Sequence, residues 1–300
     1  MSRPVTLGLD GSRESLTAAD WAAREALLRG LPLRIVHVWQ ALGYPQPPLI
    51  DLPTQRHFAE RILREATAEL RDRYPELDIT AQQLSGRPAE ILSNVADDAD
   101  MLVLGSRGLG ALTGFLLSSV ALATVAHTDR PIVLVRAGEQ AGEERRPVSS
   151  GDMPASAPYR DVVLGLDLSG PCDALIEFAF DAAARRAARL RVVHGWSLPP
   201  AYRNDPGALD PDRTVKLTTE EANRLSDALR PWRDKFPGVE IVEQAVIGRP
   251  ARHLVEASSD ASLMVVGRRT RRTPVGRRIG AVTHAVMHHC AVPVAVVPHD

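Results

Sequence analysis

Short apolar runs alternate with amphipathic stretches along the whole chain. Val5–Asp10 is apolar, too short for a helix, and bounded by Pro4 and Gly11. Ser15–Arg29 places Ala19, Ala22, Ala23, Ala26 and Leu27 on one face at helical spacing, which predicts a helix. The same reading predicts a strand over Leu33–Trp39, a charged amphipathic helix over Thr54–Tyr74 and an alternating strand over Leu77–Gln83. A helix over Arg87–Ala99 follows, with Pro88 in its first turn, then a fully apolar strand over Met101–Leu104. A helix over Ser118–His127 and a strand over Ile132–Val135 complete the series. Apolar strands joined by helical crossovers imply a parallel sheet covered on both faces. Right-handed crossovers make it a doubly wound α/β sandwich.

The series then repeats. Val5-Thr6-Leu7-Gly8-Leu9-Asp10 returns as Val162-Val163-Leu164-Gly165-Leu166-Asp167, and His37-Val38-Trp39 as His194-Gly195-Trp196, both at an offset of 157. Gly86-Arg87-Pro88-Ala89 returns as Gly248-Arg249-Pro250-Ala251 at an offset of 162, as do the fourth and fifth strands. Five blocks in one order, with one five-residue insertion between Trp196 and Gly248, define two copies of one unit. Residues 137–158 are rich in Gly, Ser, Pro, Glu and Arg without apolar period, and read as a flexible linker. The domains are therefore expected at 1–136 and 159–300.

Composition narrows the function. With 44% hydrophobic and 24% charged residues, the 300-residue chain is neither disordered nor a multi-span membrane protein. A formal net charge of −1 gives no polyanion-binding field, so no nucleic-acid partner is expected. Two cysteines, Cys172 and Cys290, cannot form a disulfide framework. The first residues lack an apolar stretch with a small-residue cleavage site, so a cytoplasmic protein is expected. Residues 108–128 carry no charge, but their glycines, serines and threonines read as a loop and a buried helix, not a membrane span.

In such a sheet, ligands sit at the carboxyl ends of the strands where strand order reverses. Two loops are candidates: Asp10-Gly11-Ser12, and the run from Gly105-Ser106-Arg107-Gly108-Leu109-Gly110 to Ser118-Ser119. Glycines let backbone N–H groups approach an anion, and the following helix offers its N-terminus. The second loop is not a P-loop, since Ala111 and Leu112 stand where Lys and Ser/Thr are required. Its G-x-x-G-x-G order is also not the Rossmann fingerprint, so neither a Walker NTPase nor a nicotinamide dehydrogenase is supported.

The run GSRGLGALTGFLLSSVALATVAHTDRPIVLV resembles the universal stress protein (UspA-like) family. Gly105, Gly108 and Ser119 fit that family's G-x2-G-x9-G-[S/T] pattern, and Ser118 replaces its third glycine. Asp10 matches the acidic residue closing strand one, and His37-Val38 the second-strand pair. The resemblance covers nearly the whole chain and implies a tandem member. It implies two five-stranded domains of the adenine-nucleotide α-hydrolase-like fold, with strand order 3-2-1-4-5, paired through their last strands. It further implies ATP as ligand, with Mg²⁺ arriving on the nucleotide. Asp10 would lie near ribose or metal, Val38 would face the adenine through its backbone, and Gly105, Gly108, Ser118, Ser119 and Val120 would surround the triphosphate. A left-handed backbone at Ser118 would be strained.

The second copy departs from the pattern. Asp167, Gly267 and Gly280 keep their places as candidates, while Thr270 and Ala281 replace a glycine and the hydroxyl residue, and Leu168 stands where Gly11 did. Its loop from Arg268 to Arg278 carries six arginines, which could grip an anion by side chains or form a solvated basic loop. His284 and His288 have zinc-chelating spacing, but capping roles fit the end of a helix better. No nucleophilic triad lies near the glycine loop, and Asp10 is the one evident base, so the chain is at most a weak ATPase. The expected function is a cytoplasmic ATP-binding stress-response module with little or no turnover. The alternatives are a slow ATPase and an interaction scaffold with relic pockets. The two copies are expected to pair within the chain as a pseudo-dimer, and the sequence leaves a further homodimer open.

Overall fold

The structure, a computed structural model, describes residues 2–40, 52–106, 118–137, 144–146, 157–198, 211–270 and 279–300; of residues 52–56 and 211 it describes the backbone. They fall into two compact units, residues up to 137 and residues from 144 on.

The first unit contains β1 (Val5–Leu9), α1 (Arg13–Arg29), β2 (Leu33–Trp39), α2 (Leu52–Arg73) and β3 (Ile79–Ser85). It continues with α3 (Pro88–Asp97), β4 (Met101–Ser106), α4 (Ser119–His127) and β5 (Ile132–Arg136). Its strands are parallel, in the order β3-β2-β1-β4-β5. Helices α1 and α2 touch one another, as do α3 and α4, which puts one pair on each face of the doubly wound sheet. β1 and β4 are central, and Val5, Leu7, Met101, Leu102 and Val103 are fully buried, as continuous apolar strands require.

The second unit repeats this plan. It contains β6 (Asp161–Gly165), α5 (Asp173–Arg185), β7 (Leu190–Trp196), α6 (Pro211–Lys235) and β8 (Ile241–Ile247). Then come α7 (Pro250–Ala257), β9 (Ala261–Arg269), α8 (Ala281–His289) and β10 (Val294–His299). The order is β8-β7-β6-β9-β10, again parallel. The expected order 3-2-1-4-5 therefore holds in each unit. Part of the stretch read as a linker is tied to this unit: the Arg146 N–H donates to the Pro158 carbonyl at 2.8 Å, and the Arg160 N–H to the Glu144 carbonyl at 2.8 Å. The Arg145 guanidinium lies 4.3 Å from the centre of the Tyr159 ring.

Helix α4 has nine residues, too few to cross a bilayer, and no described helix is long and apolar enough to do so.

Candidate functional site

In the first unit, the connection leaving β1 runs to one face of the sheet and that leaving β4 to the other. A crevice opens between their carboxyl ends, where open α/β sheets take ligands. It holds a cavity of about 430 Å³, within the range of small-molecule sites. Val36, Val38, Leu92, Leu104 and Pro88 line its apolar part, and Asp10, Ser12, Glu14, Ser118 and Ser119 its polar part.

Local sequence builds each wall. After β1 the chain must turn sharply, and Gly11 does so at φ +81°, a left-handed value. A Cβ there would also lie 2.9 Å from the Ile62 side chain. Asp10 fastens this turn: its Oδ1 accepts the Ser12 N–H at 2.9 Å and the Ser12 hydroxyl at 2.5 Å. Ser12 in turn caps α1, accepting the Ser15 N–H at 3.2 Å. Asp10 is exposed, at the polar end of the cavity. The register of β1 with β2 ends at Leu9 opposite His37, so Val38 stands one residue beyond it and faces the cavity. His37 closes the end of β1, with Nδ1 2.8 Å from the Leu9 carbonyl oxygen.

Gly105 has a packing role beyond loop flexibility. A Cβ there would lie 2.6 Å from the Glu14 carbonyl carbon and the Ser15 nitrogen, so glycine lets the start of α1 rest on β4. Across the cavity, Ser118 caps α4, its hydroxyl accepting the Ala121 N–H at 3.1 Å. Its backbone is extended, φ −64° and ψ 148°, so serine in place of the family's glycine carries no left-handed strain. The first bond within the helix runs from the Leu122 N–H to the Ser118 carbonyl at 3.1 Å. The Ser119 and Val120 N–H groups precede it and have no acceptor within the helix, which is the geometry of an anion site.

Asp10, Val38, Gly105, Ser118, Ser119 and Val120 thus line one cavity. Gly108 lies outside the described residues, as do Arg107 and Gly110. Glu14, Pro88 and Leu92 join the site without having been singled out by sequence reasoning. Pro88 carried a usable signal, since its Gly-Arg-Pro-Ala block recurs in both copies.

The profile of the universal stress protein family matches residues 1–136 and again 158–298. The chain belongs to the universal stress protein family. It is 32% identical to the universal stress protein Rv1996 of Mycobacterium tuberculosis, over 99% of this chain and 96% of that protein. It is 31% identical to the universal stress protein Rv2005c of the same species, over 99% of both. A solved universal stress protein from Archaeoglobus fulgidus is similar over 100% of both chains, at a TM-score of 0.70 and 16% identity, a likeness of fold.

The second copy of this universal stress protein places its candidates differently. Asp167 Oδ1 accepts the Ser169 N–H at 3.0 Å, as Asp10 does from Ser12, but Asp167 Oδ2 accepts from Arg269 Nη2 at 2.7 Å. Arg269 also bonds the Ser169 hydroxyl. Burial pushes the Asp167 carboxyl up, and the Ser169 hydroxyl and amide, with Arg269 and His194, outweigh it and hold the carboxyl below its ordinary value. Arg269, at the start of the arginine-rich stretch, thus grips a carboxylate of the protein itself. Arg268 is buried at 1% exposure, and residues 271–278 lie outside the described ones. Gly267 packs against His299, and Gly280 precedes α8 without a side-chain cap. The His284 and His288 rings sit 4.4 Å apart, and burial, then the neighbouring His288 and His289, push the His284 imidazole down. Among the described residues no group of three His, Cys, Asp or Glu could hold a metal ion.

Proposed function

We propose that the first unit binds ATP with Mg²⁺ as a cytoplasmic stress-response module with little or no turnover. The observation that carries this reading is the shared cavity between β1 and β4, apolar along Val36, Val38 and Leu92 and polar at Asp10 and the start of α4. An adenine ring fits the apolar part, and a carboxylate at Asp10 suits a ribose hydroxyl. The N–H groups of Ser119 and Val120, without an acceptor inside the helix, suit phosphate oxygens, helped by the partial positive charge of a helix N-terminus, about half an elementary charge. Asp10 brings a carboxylate to this end, and none of the described lining residues is cationic. A divalent cation on the nucleotide balances that charge, which is why Mg²⁺ belongs to the proposal.

Low turnover follows from the same residues. Asp10 is the base nearest the polar end, and its Oδ1 already accepts two hydrogen bonds from Ser12. Those bonds tie the carboxylate to the turn and away from a water molecule it would have to activate. The internal pairing of the two copies through their last strands, and any homodimer, belong to the same proposal and rest on the repeat and the short apolar strands at its end.

Calorimetric titration of ATP, ADP and AMP with Mg²⁺ into the full chain tests the reading. Saturable heat is expected, with ATP favoured, and Val38→Phe should abolish it while leaving the circular dichroism unchanged. No heat from any of the three would overturn the reading.

A further inference from the structure

The two units hold the same positions in different states, and the difference lies in side chains at the site. We propose that the chain carries one nucleotide site, in the first unit, and that the second unit holds its own copy shut with Pro250, His299 and Arg269. This rests on the nucleotide reading of the first unit.

The apolar part closes first. Val38 corresponds to Gly195 at the offset of 157, and Pro88 to Pro250 at 162. In the first unit both side chains line the cavity. In the second, a Cβ on Gly195 would lie 2.7 Å from the Pro250 Cβ and 2.8 Å from its Cα and Cγ. Loss of the valine side chain has let the proline ring settle on β7, where an adenine edge would have to enter.

The polar part is closed by a different route. Arg13-Glu14-Ser15 form the first turn of α1, whereas Gly170-Pro171-Cys172 stand at those positions and α5 starts only at Asp173. The missing turn leaves room above Gly267, and His299 fills it. A Cβ on Gly267 would lie 2.6 Å from His299 Cδ2. The ring is held there by Nδ1, 3.0 Å from the Pro171 carbonyl oxygen.

Arg269 completes the closure. β9 includes Arg268 and Arg269, paired with Pro298 and His299 of β10. The Arg269 guanidinium, at the end of β9, lies on Asp167 and Ser169, the counterparts of Asp10 and Ser12. A nucleotide would have to displace the arginine from its carboxylate, lift the histidine and raise the proline together.

Equilibrium dialysis of labelled ATP with Mg²⁺ against the full chain counts the sites. One per chain is expected. Ser119→Glu should remove it, because a carboxylate at an exposed helix N-terminus is well tolerated by the fold and repels phosphate. Hydrogen exchange should then show ligand protection in β1, the turn to α1 and the start of α4, and none in β6 or the starts of α5 and α8. Should Ser119→Glu melt at a lower temperature than the parent, Val38→Phe serves as the blocking variant. Two sites per chain, or one that survives the blocking variant, would overturn the inference while leaving nucleotide binding intact. Zero sites would overturn the nucleotide reading itself.

Discussion

Arg269 Nη2 lies 2.7 Å from the Asp167 carboxylate, across 102 positions of sequence. In the first unit the equivalent carboxylate, Asp10, lies at the end of a cavity and bonds Ser12. In the second unit the acidic side chain that follows the first strand thus meets an arginine at the end of the fourth. The backbone turn is common to both, since Ser169 N–H meets Asp167 Oδ1 at 3.0 Å just as Ser12 N–H meets Asp10 Oδ1 at 2.9 Å. The divergence is in side chains, which can change while the sheet stays as it is.

The caps of the two site helices should respond in opposite ways to exchange of their residues. Ser118→Ala removes the hydroxyl that accepts the Ala121 N–H and should cost about 1 kcal/mol. Gly280 has the same extended backbone, φ −62° and ψ 151°, and among the described residues nothing lies within 4 Å of where its Cβ would stand. Gly280→Ser should therefore gain a cap and stabilise the second unit by a few tenths of a kcal/mol, roughly the difference between glycine and serine at an N-cap. Urea denaturation of the full chain reads both shifts.

Gly105→Ala should do more harm than a loop glycine would. Its Cβ would meet the Glu14–Ser15 backbone at 2.6 Å, and a backbone cannot rotate away as a side chain can. Overpacking of about 1–3 kcal/mol is expected, with displacement of Glu14 and weaker ligand binding. A stable variant with unchanged nucleotide affinity would contradict this role for the glycine.

Asp161 should make the second unit acid-sensitive. It is 3% exposed and accepts from Arg146 at 3.0 Å, from Arg189 at 3.1 and 2.9 Å and from Arg191 at 2.9 Å. Burial pushes its carboxyl up, but the hydrogen bonds and charges of Arg189 and Arg191 outweigh it and hold the group below its ordinary value. The folded value is depressed, so the stabilisation is complete above the unfolded value and disappears as pH falls through the folded one. Asp161→Asn should cost about 1.5–3 kcal/mol at neutral pH, the range for hydrogen bonds to a charged group, because the arginines that face it keep contact with water. Melting curves between neutral and strongly acid pH should show the parent losing more stability on acidification than the variant.

Much of this was legible in the chain because each element carries its own local signal. The strand expected over Leu33–Trp39 is β2 to the residue. Helix α1 begins at Arg13, not at Ser15, because the Ser12 cap starts it before the apolar period does. β3 is displaced by two residues from the expected Leu77–Gln83, because Leu77 is buried in a turn, its N–H bonded to the Tyr74 carbonyl at 3.1 Å. An apolar residue in a turn reads like the first residue of a strand. The candidate ligand residues of the first unit were legible through Asp10, Val38 and the Gly105–Ser119 pattern. The packing of Pro250 on Gly195 and the Arg269–Asp167 pair were not. Both depend on distant residues meeting in space, and Gly195 carries no side chain whose pattern could announce the contact.

The most direct test of a nucleotide site in the first unit is the dissociation constant of ATP with Mg²⁺ for the full chain beside that of Ser119→Glu. Saturable binding by the parent is expected, with at least tenfold weaker binding by the variant, a loss of about 1.4 kcal/mol or more. Equal affinity in the two proteins, or no binding by the parent, would contradict it.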